Sequence, residues 1–218
     1  MRTGRRRFLQ LTIGAGLLAG AACGPEAPHA EVPVRRGPEG GWVSLFDGQT
    51  LDGWEAYDQG GKQEDVSSNW VVRGGVIYGS GEMSHLFSRR GDYKDFRYRV
   101  ELKINEGGNS GMYFRAVKGL GFPKGYEAQV NSTHADPVRT GSLYNMVHIK
   151  RRLVPPGTWF TQEVEAVGNH ITVKVDGVAL YEFIDPNRTY TEGSFAFQQH
   201  DPVGEVQIRR VEVMELPS

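Results

Sequence analysis

Phe96-Arg97-Tyr98-Arg99-Val100-Glu101-Leu102-Lys103-Ile104 alternates without a break between apolar and charged side chains. Successive side chains of a strand point to opposite faces of its sheet, so the five apolar residues share one face and the four charged residues the other. A strand of this kind sits in an antiparallel sheet with one face on a core and one in water. The same punctuation extends in both directions. Trp70-Val71-Val72 and Val76-Ile77-Tyr78 flank Arg73-Gly74-Gly75, a hairpin signal. Residues 159–167 and 171–175 flank Gly168-Asn169-His170, and residues 173–181 fold around Asp176-Gly177. The last strands are expected over 193–200 and 206–213. Helical periodicity is nearly absent from Trp42 onward, no internal repeat is evident, and the chain carries 29 glycines. Many short, closely spaced strands predict an all-β fold, an antiparallel two-sheet jelly-roll sandwich.

The ends bound the domain. Arg5-Arg6-Arg7-Phe8-Leu9-Gln10 runs into an uncharged apolar stretch over 11–22, too short and wrongly flanked for a membrane span. Residues 1–23 therefore read as an export signal, and the Arg pair before Phe8-Leu9 resembles a twin-arginine address. Cys23 is the only cysteine, so no disulfide can form within the chain. It follows Gly20-Ala21-Ala22, as at a bacterial lipoprotein cleavage site, although an aliphatic residue is usual where Gly20 stands. An ordinary small-residue cleavage site is the alternative. Residues 24–40, rich in Pro, Gly and charge, read as a flexible tether, and 41–216 as one domain. The expected location is the periplasm or cell envelope, with a lipid anchor if Cys23 is modified.

Charge excludes one class of partner. Without residues 1–23, which hold four Arg and no acid, 21 basic side chains face 26 acidic ones, a net charge near −5. That is no field for nucleic acid. Arg89-Arg90, Lys150-Arg151-Arg152 and Arg209-Arg210 are short clusters that read as solvated faces.

Two further strands carry a different pattern. In Gly108-Asn109-Ser110-Gly111-Met112-Tyr113-Phe114-Arg115, the residues Asn109, Tyr113 and Arg115 share one parity. In Gly125-Tyr126-Glu127-Ala128-Gln129-Val130-Asn131, so do Glu127, Gln129 and Asn131. A strand face of amides, a phenol, a carboxylate and a guanidinium suits the gripping of hydroxyls. Gln198 and His200 share a parity opposite to Phe195 and Phe197, which puts them on a polar face too.

The ordered set Leu45-Phe46-Asp47-Gly48, Leu51-Asp52-Gly53-Trp54, Tyr93-Lys94-Asp95-Phe96, 108–115, Gly125-Tyr126-Glu127-Ala128-Gln129, Thr140-Gly141-Ser142-Leu143-Tyr144 and Ala196-Phe197-Gln198-Gln199-His200-Asp201-Pro202 resembles the 3-keto-disaccharide hydrolase domain family. The likeness spans 42–215. Ile208-Arg209-Arg210-Val211 departs from a Phe-Arg-Asn-Ile-type strand frequent in that family. The resemblance implies a concanavalin A-like jelly roll of the lectin and glucanase type, acting on sugars already oxidised to the C3 ketone. A separate sugar 3-oxidoreductase would supply that substrate.

The residues are consistent with such chemistry. Ordinary glycoside hydrolysis needs two carboxyl groups, about 5–5.5 Å apart for retention or about 6.5–9.5 Å for inversion. Glu127 has no second acid on its strand face, and only Asp136, in a following loop, is near in sequence. A 3-keto sugar needs one base for the acidified C2 hydrogen, a donor for the ketone oxygen and an acid for the leaving group. Glu127, His200 and His134 are the candidates for proton transfer. Arg115 is a candidate for the enolate oxygen, and Asn109, Tyr113, Gln129, Asp136, Tyr144 and Gln198 for substrate hydroxyls. Structural alternatives stand beside these: a Glu127–Arg115 bridge between strands, and turn roles for His134 and His200. His85 reads as incidental. No short His or Cys spacing predicts a metal and no cofactor is expected, although a divalent ion assembled from distant strands stays open. A lectin-like carbohydrate-binding lipoprotein is the alternative to an enzyme.

Overall fold

The computed structural model describes residues 41–58, 61–62, 69–119 and 121–217. The expected export signal, Cys23 and the tether lie outside the described residues. The strands are β1 (Val43–Ser44), β2 (Trp54–Asp58), β3 (Gly61–Lys62), β4 (Trp70–Arg73), β5 (Val76–Gly79), β6 (Ser84–Ser88) and β7 (Phe96–Ile104). They continue with β8 (Asn109–Val117), β9 (Lys124–Asn131), β10 (Phe160–Val167), β11 (His170–Val175), β12 (Val178–Ile184), β13 (Ser194–Gln199) and β14 (Val206–Glu215). All pairings are antiparallel.

One sheet has the order β12-β11-β10-β7-β14-β5-β4, with β1 also on β14; the other has the order β3-β2-β6-β13-β8-β9. The expected two-sheet sandwich is what forms. β7 behaves as its alternation predicts, with Phe96, Tyr98, Val100, Leu102 and Ile104 buried and the charged residues between them half-buried. On the solvent face Arg97 pairs with Glu163, Arg99 with Glu212 and Arg209 with Glu101, so that face is a lattice of ion pairs between neighbouring strands. The hairpin at Gly74-Gly75 has φ of +55° and +79°, as a two-residue turn between twisted strands requires.

Between the sheets, aromatic rings from both layers pack in contact. Tyr98 of β7 stacks on Phe195 of β13 at 3.9 Å, and Phe96 meets Phe114 of β8 edge-on at 6.2 Å. β6 was not legible as a strand, because Ser-His-Leu-Phe-Ser is buried on both faces and shows no alternation. β8 is covered on both faces up to Ala116, and β13 throughout. The outer face of the six-stranded sheet is therefore a second, partly enclosed surface, and it carries the site.

Candidate active site

In the β8–β9 ladder Asn109 faces Asn131, Gly111 faces Gln129 and Tyr113 faces Glu127, while Met112, Phe114, Tyr126, Ala128 and Val130 turn into the core. β13 puts Phe195 and Phe197 in that core and Ala196 and Gln198 on the outer face; β6 adds His85 and Phe87 there. Phe87, Tyr113, Ala116 and Ala196 form a small apolar patch on that side of the sheet. A pocket of about 390 Å³ opens there, within the range of small-molecule sites. Its walls include Asn109, Tyr113, Glu127, Gln129, Asp136, Tyr144, Gln198 and His200. Eight sequence candidates thus converge on one cavity, whose lining contains no Lys or Arg among the described residues.

Among the described carboxyl groups with a stated value, Glu127 is the most perturbed. Burial raises its carboxyl pKa to about 8, against a hydrogen bond from Tyr113 that lowers it and with the charge of Asp136 adding to the rise. We orient the Gln129 amide with its nitrogen toward Glu127, where it donates to Oε1 at 3.0 Å and to the Ser110 carbonyl at 3.1 Å. Its oxygen then lies 3.1 Å from the Asn109 amide and accepts from it once that amide too is turned nitrogen-first. Space for the carboxyl is made by Gly111. A Cβ there would lie 2.2 Å from Glu127 Oε1 and 2.8 Å from its Cγ. The sheet thus places a carboxylic acid, neutral at physiological pH, in a pocket wall, as general acid catalysis requires.

A chain of hydrogen bonds runs behind it. Gln198 Nε2 donates to Tyr113 Oη at 3.3 Å and faces His85 Nε2 at 3.4 Å. Burial, and then the nearby His200, lower the His85 pKa to about 4, so its imidazole is neutral and accepts the second Gln198 proton. With its oxygen accepting from Gln198, the Tyr113 hydroxyl sends its own proton to Glu127. His85 is therefore part of the wall's support and not incidental, which corrects the sequence reading; β6 brings it beside a residue 113 positions away.

The loop after β9 is organised by Asn131, which is fully buried. Its amide donates to the carbonyls of Asp136 and Val138 and accepts from the His134 amide and the Arg139 guanidinium. This carries Asp136 to the pocket, where Tyr144 Oη donates to its Oδ2 at 3.2 Å. His134 stands just outside the lining, its ring 5.4 Å from that of His200. Asn131 thus serves the loop and does not face a ligand.

Arg115 is not at the site. The register of β8 on β9 shifts between Phe114 and Val117, and Arg115 takes a left-handed φ of +49° within that bulge. A bulge reverses the alternation beyond it. The buried guanidinium donates to the carbonyls of Lys94, Gly168 and Tyr190 and meets Asp95 at 3.3 Å. Neither the enolate-stabilising role nor the bridge to Glu127 holds. Phe122 and Pro123 of the β8–β9 loop, a stretch whose sequence fits a cleft rim or a simple connection, complete the rim with Asn145 and Tyr190. Phe122 had a weak signal, a lone aromatic in a glycine-bounded loop; Asn145 and Tyr190 had none.

Known proteins resemble this chain in sequence and in fold. Residues 41–214 match the family described as 3-keto-alpha-glucoside-1,2-lyase-like domain. A 3-keto-disaccharide hydrolase of Bacteroides thetaiotaomicron is 28% identical over 151 residues, 55% of this chain and 50% of that protein. The match therefore spans about half the length of this curated relative. Among solved structures, a candidate glycosyl hydrolase from Parabacteroides distasonis has a TM-score of 0.68 at 22% identity, covering 81% of this chain and 94% of that one. Carbohydrate binding module CBM66 from Bacillus subtilis has a TM-score of 0.57 at 18% identity, covering 75% and 96%. Both likenesses are of fold, and both chains are two-sheet jelly rolls of the same kind.

Proposed function

The chain belongs to the 3-keto-alpha-glucoside-1,2-lyase-like domain family, and from that premise we propose that it cleaves glycosides whose sugar carries a ketone at C3. The observation that carries the proposal is the pairing in one cavity of Glu127, whose burial favours its protonated form, with the imidazole of His200. Elimination needs an acid and a base on the two sides of the C1–C2 bond, and these two groups supply them.

His200 takes the C2 hydrogen, and the electrons of that bond move onto C2–C3 and the ketone oxygen. The enolate then returns them, forming the C1–C2 double bond and breaking the bond from C1 to the aglycone oxygen. That oxygen takes its proton from Glu127. For net hydrolysis, water adds at C1 and loses a proton to the Glu127 carboxylate, while C2 regains one from His200. The amide proton of Asn109 that is not given to Gln129 is offered to the ketone, and the side-chain oxygens of Gln129, Gln198 and Tyr144, whose own protons go to protein groups, accept from substrate hydroxyls. Export to the periplasm or cell envelope, with Cys23 as the site of lipidation, belongs to the same proposal and rests on the sequence of residues 1–23. A sugar 3-oxidoreductase would act before this protein.

One observation favours a second reading. Asp136 lines the same pocket and bears electrostatically on Glu127, so two carboxyl groups share the cavity, as in ordinary glycosidases. Incubation with 3-keto-trehalose or a 3-keto-glucoside beside the unoxidised sugar separates the two. Cleavage of the oxidised sugar alone supports the proposal; cleavage of the unoxidised sugar supports the carboxyl pair. Binding without cleavage of either would make the domain a carbohydrate-binding module.

A further inference from the structure

Asp201 follows β13 on the turn that leads to β14, outside the pocket lining, and its carboxylate is held from two sides. Oδ1 accepts from the backbone amides of Val203 and Gly204 at 2.9 and 3.1 Å. Oδ2 meets His200 Nδ1 at 2.8 Å and His134 Nε2 at 3.6 Å. Burial by itself would raise the pKa of this carboxyl, but the hydrogen bonds from His200, Val203 and Gly204 outweigh it and hold the group below its ordinary value.

An ionised carboxylate only accepts, so each imidazole nitrogen that faces it carries hydrogen. Neutral His200 then has its proton on Nδ1 and a lone pair on Nε2. Among the described residues no hydrogen bond engages that second nitrogen, and His200 lines the pocket. His134 is set the other way round. The Asp136 amide donates to its Nδ1 at 3.0 Å, so its own proton sits on Nε2, toward Asp201.

We propose that Asp201 is a positioning residue that fixes the tautomer of His200 and thereby makes Nε2 the nitrogen that removes a proton from the substrate. The identity of that proton rests on the function proposed above; the tautomer is a property of the free protein. The same trio, His134, His200 and Asp201, has ligand-type atoms within 4.8 Å of one another, the spacing of a metal site. The tautomer of His134 opposes that use. With Nδ1 accepting the Asp136 amide, Nε2 is protonated and has no lone pair to give a cation.

Asp201→Asn isolates the effect. Asparagine keeps Oδ1 and its contacts to Val203 and Gly204, and replaces Oδ2 by an amide that donates to His200 Nδ1. The ring proton must then move to Nε2. Nitrogen-15 NMR of the free protein, with His200 assigned from the spectrum of His200→Gln, is expected to find Nδ1–H in the wild type and Nε2–H in Asp201→Asn. On a 3-keto-glucoside the variant's kcat should fall by about a thousandfold with KM little changed, as expected for a base held in the wrong tautomer.

Wild-type His200 protonated on Nε2 overturns the proposal whatever the variant does. So does an Asp201→Asn protein with undiminished kcat. Stoichiometric binding of Mn²⁺ or Zn²⁺ that Asp201→Asn abolishes overturns it by making the trio a metal site. A wild type with the Nδ1–H tautomer that cleaves no 3-keto-glycoside counts against the proposed substrate and in favour of the tautomer assignment.

Discussion

Tyr113 and Glu127 are directly opposed residues of β8 and β9, and the phenol donates its hydrogen bond to the carboxyl across the strand pair. The phenol is itself buried, and that burial, followed by the charge of Glu127, holds its pKa well above the ordinary value. Tyr113 therefore remains a donor over the whole working range of pH. Gln198 and Gln129 complete a frame in which Glu127 has defined partners and little water.

Glu127 makes stability depend on pH in a direction unusual for a carboxyl. Its pKa rises from 4.5 to about 8 on folding, so between those values the folded protein binds a proton that the unfolded chain does not. The contribution of this one group is fully present below pH 4.5, declines as pH rises through that window and is lost above 8. Glu127→Gln should remove this slope and be more stable than wild type at pH 9 by on the order of 4 kcal/mol. Urea titrations of both proteins at pH 5 and pH 9 check it. Equal wild-type slopes and variant slopes would refute the assignment. The variant should also lose cleavage activity.

Gly111→Ala should cost activity more than stability. The added methyl group meets the Glu127 side chain and not backbone, so the carboxyl must swing from its frame while the strands stay paired. A misplacement of about 1 Å can cost roughly a hundredfold in rate. We expect that loss in kcat with a thermal midpoint close to wild type. An alanine variant of full activity would mean that the position of Glu127 is not critical.

Arg115→Met should do the reverse. The substitution strands the carbonyls of Lys94, Gly168 and Tyr190 that the guanidinium now satisfies. A loss of about 3 kcal/mol follows, visible as a midpoint lower by roughly 6 to 12 °C. The kcat of the folded fraction should be unchanged. A large fall in kcat at unaltered midpoint would return Arg115 to the chemistry.

Phe122 is 60% exposed on the pocket rim, its ring 6.2 Å from those of His85 and His200. An exposed aromatic beside a sugar pocket offers a face for ring stacking. Phe122→Ala should raise KM on a 3-keto-disaccharide about five- to tenfold, or about 1 to 1.4 kcal/mol, and leave the midpoint unmoved. An unchanged KM would leave the loop as a connection only.

Period-two alternation over 96–104 was enough to assign an antiparallel sandwich and to say which side chains of β7 meet the core, because the pleat dictates facing locally. By the same rule Asn109, Tyr113, Glu127, Gln129 and Gln198 could be named from residue types and parity alone. Parity failed at Arg115, where an extra residue in the ladder turns the side chain over. That bulge forms where β8 loses register with β13 as well as with β9, a condition no stretch of eight residues contains.

The order of strands across the sheet was likewise invisible. Only the neighbours of β13 decide that His85 supports Gln198, and only the turn after β13 decides that Asp201 holds His200. The sequence by itself determined the fold class and the polar face, since both follow from interactions between residues a few positions apart. Tertiary structure decided the burial of Glu127, the withdrawal of Arg115 and the contact between His200 and Asp201. The first two depend on burial and on partners brought from distant strands; the third depends on the turn that folds the neighbouring Asp201 back onto His200, and a turn's geometry is not written in residue types alone.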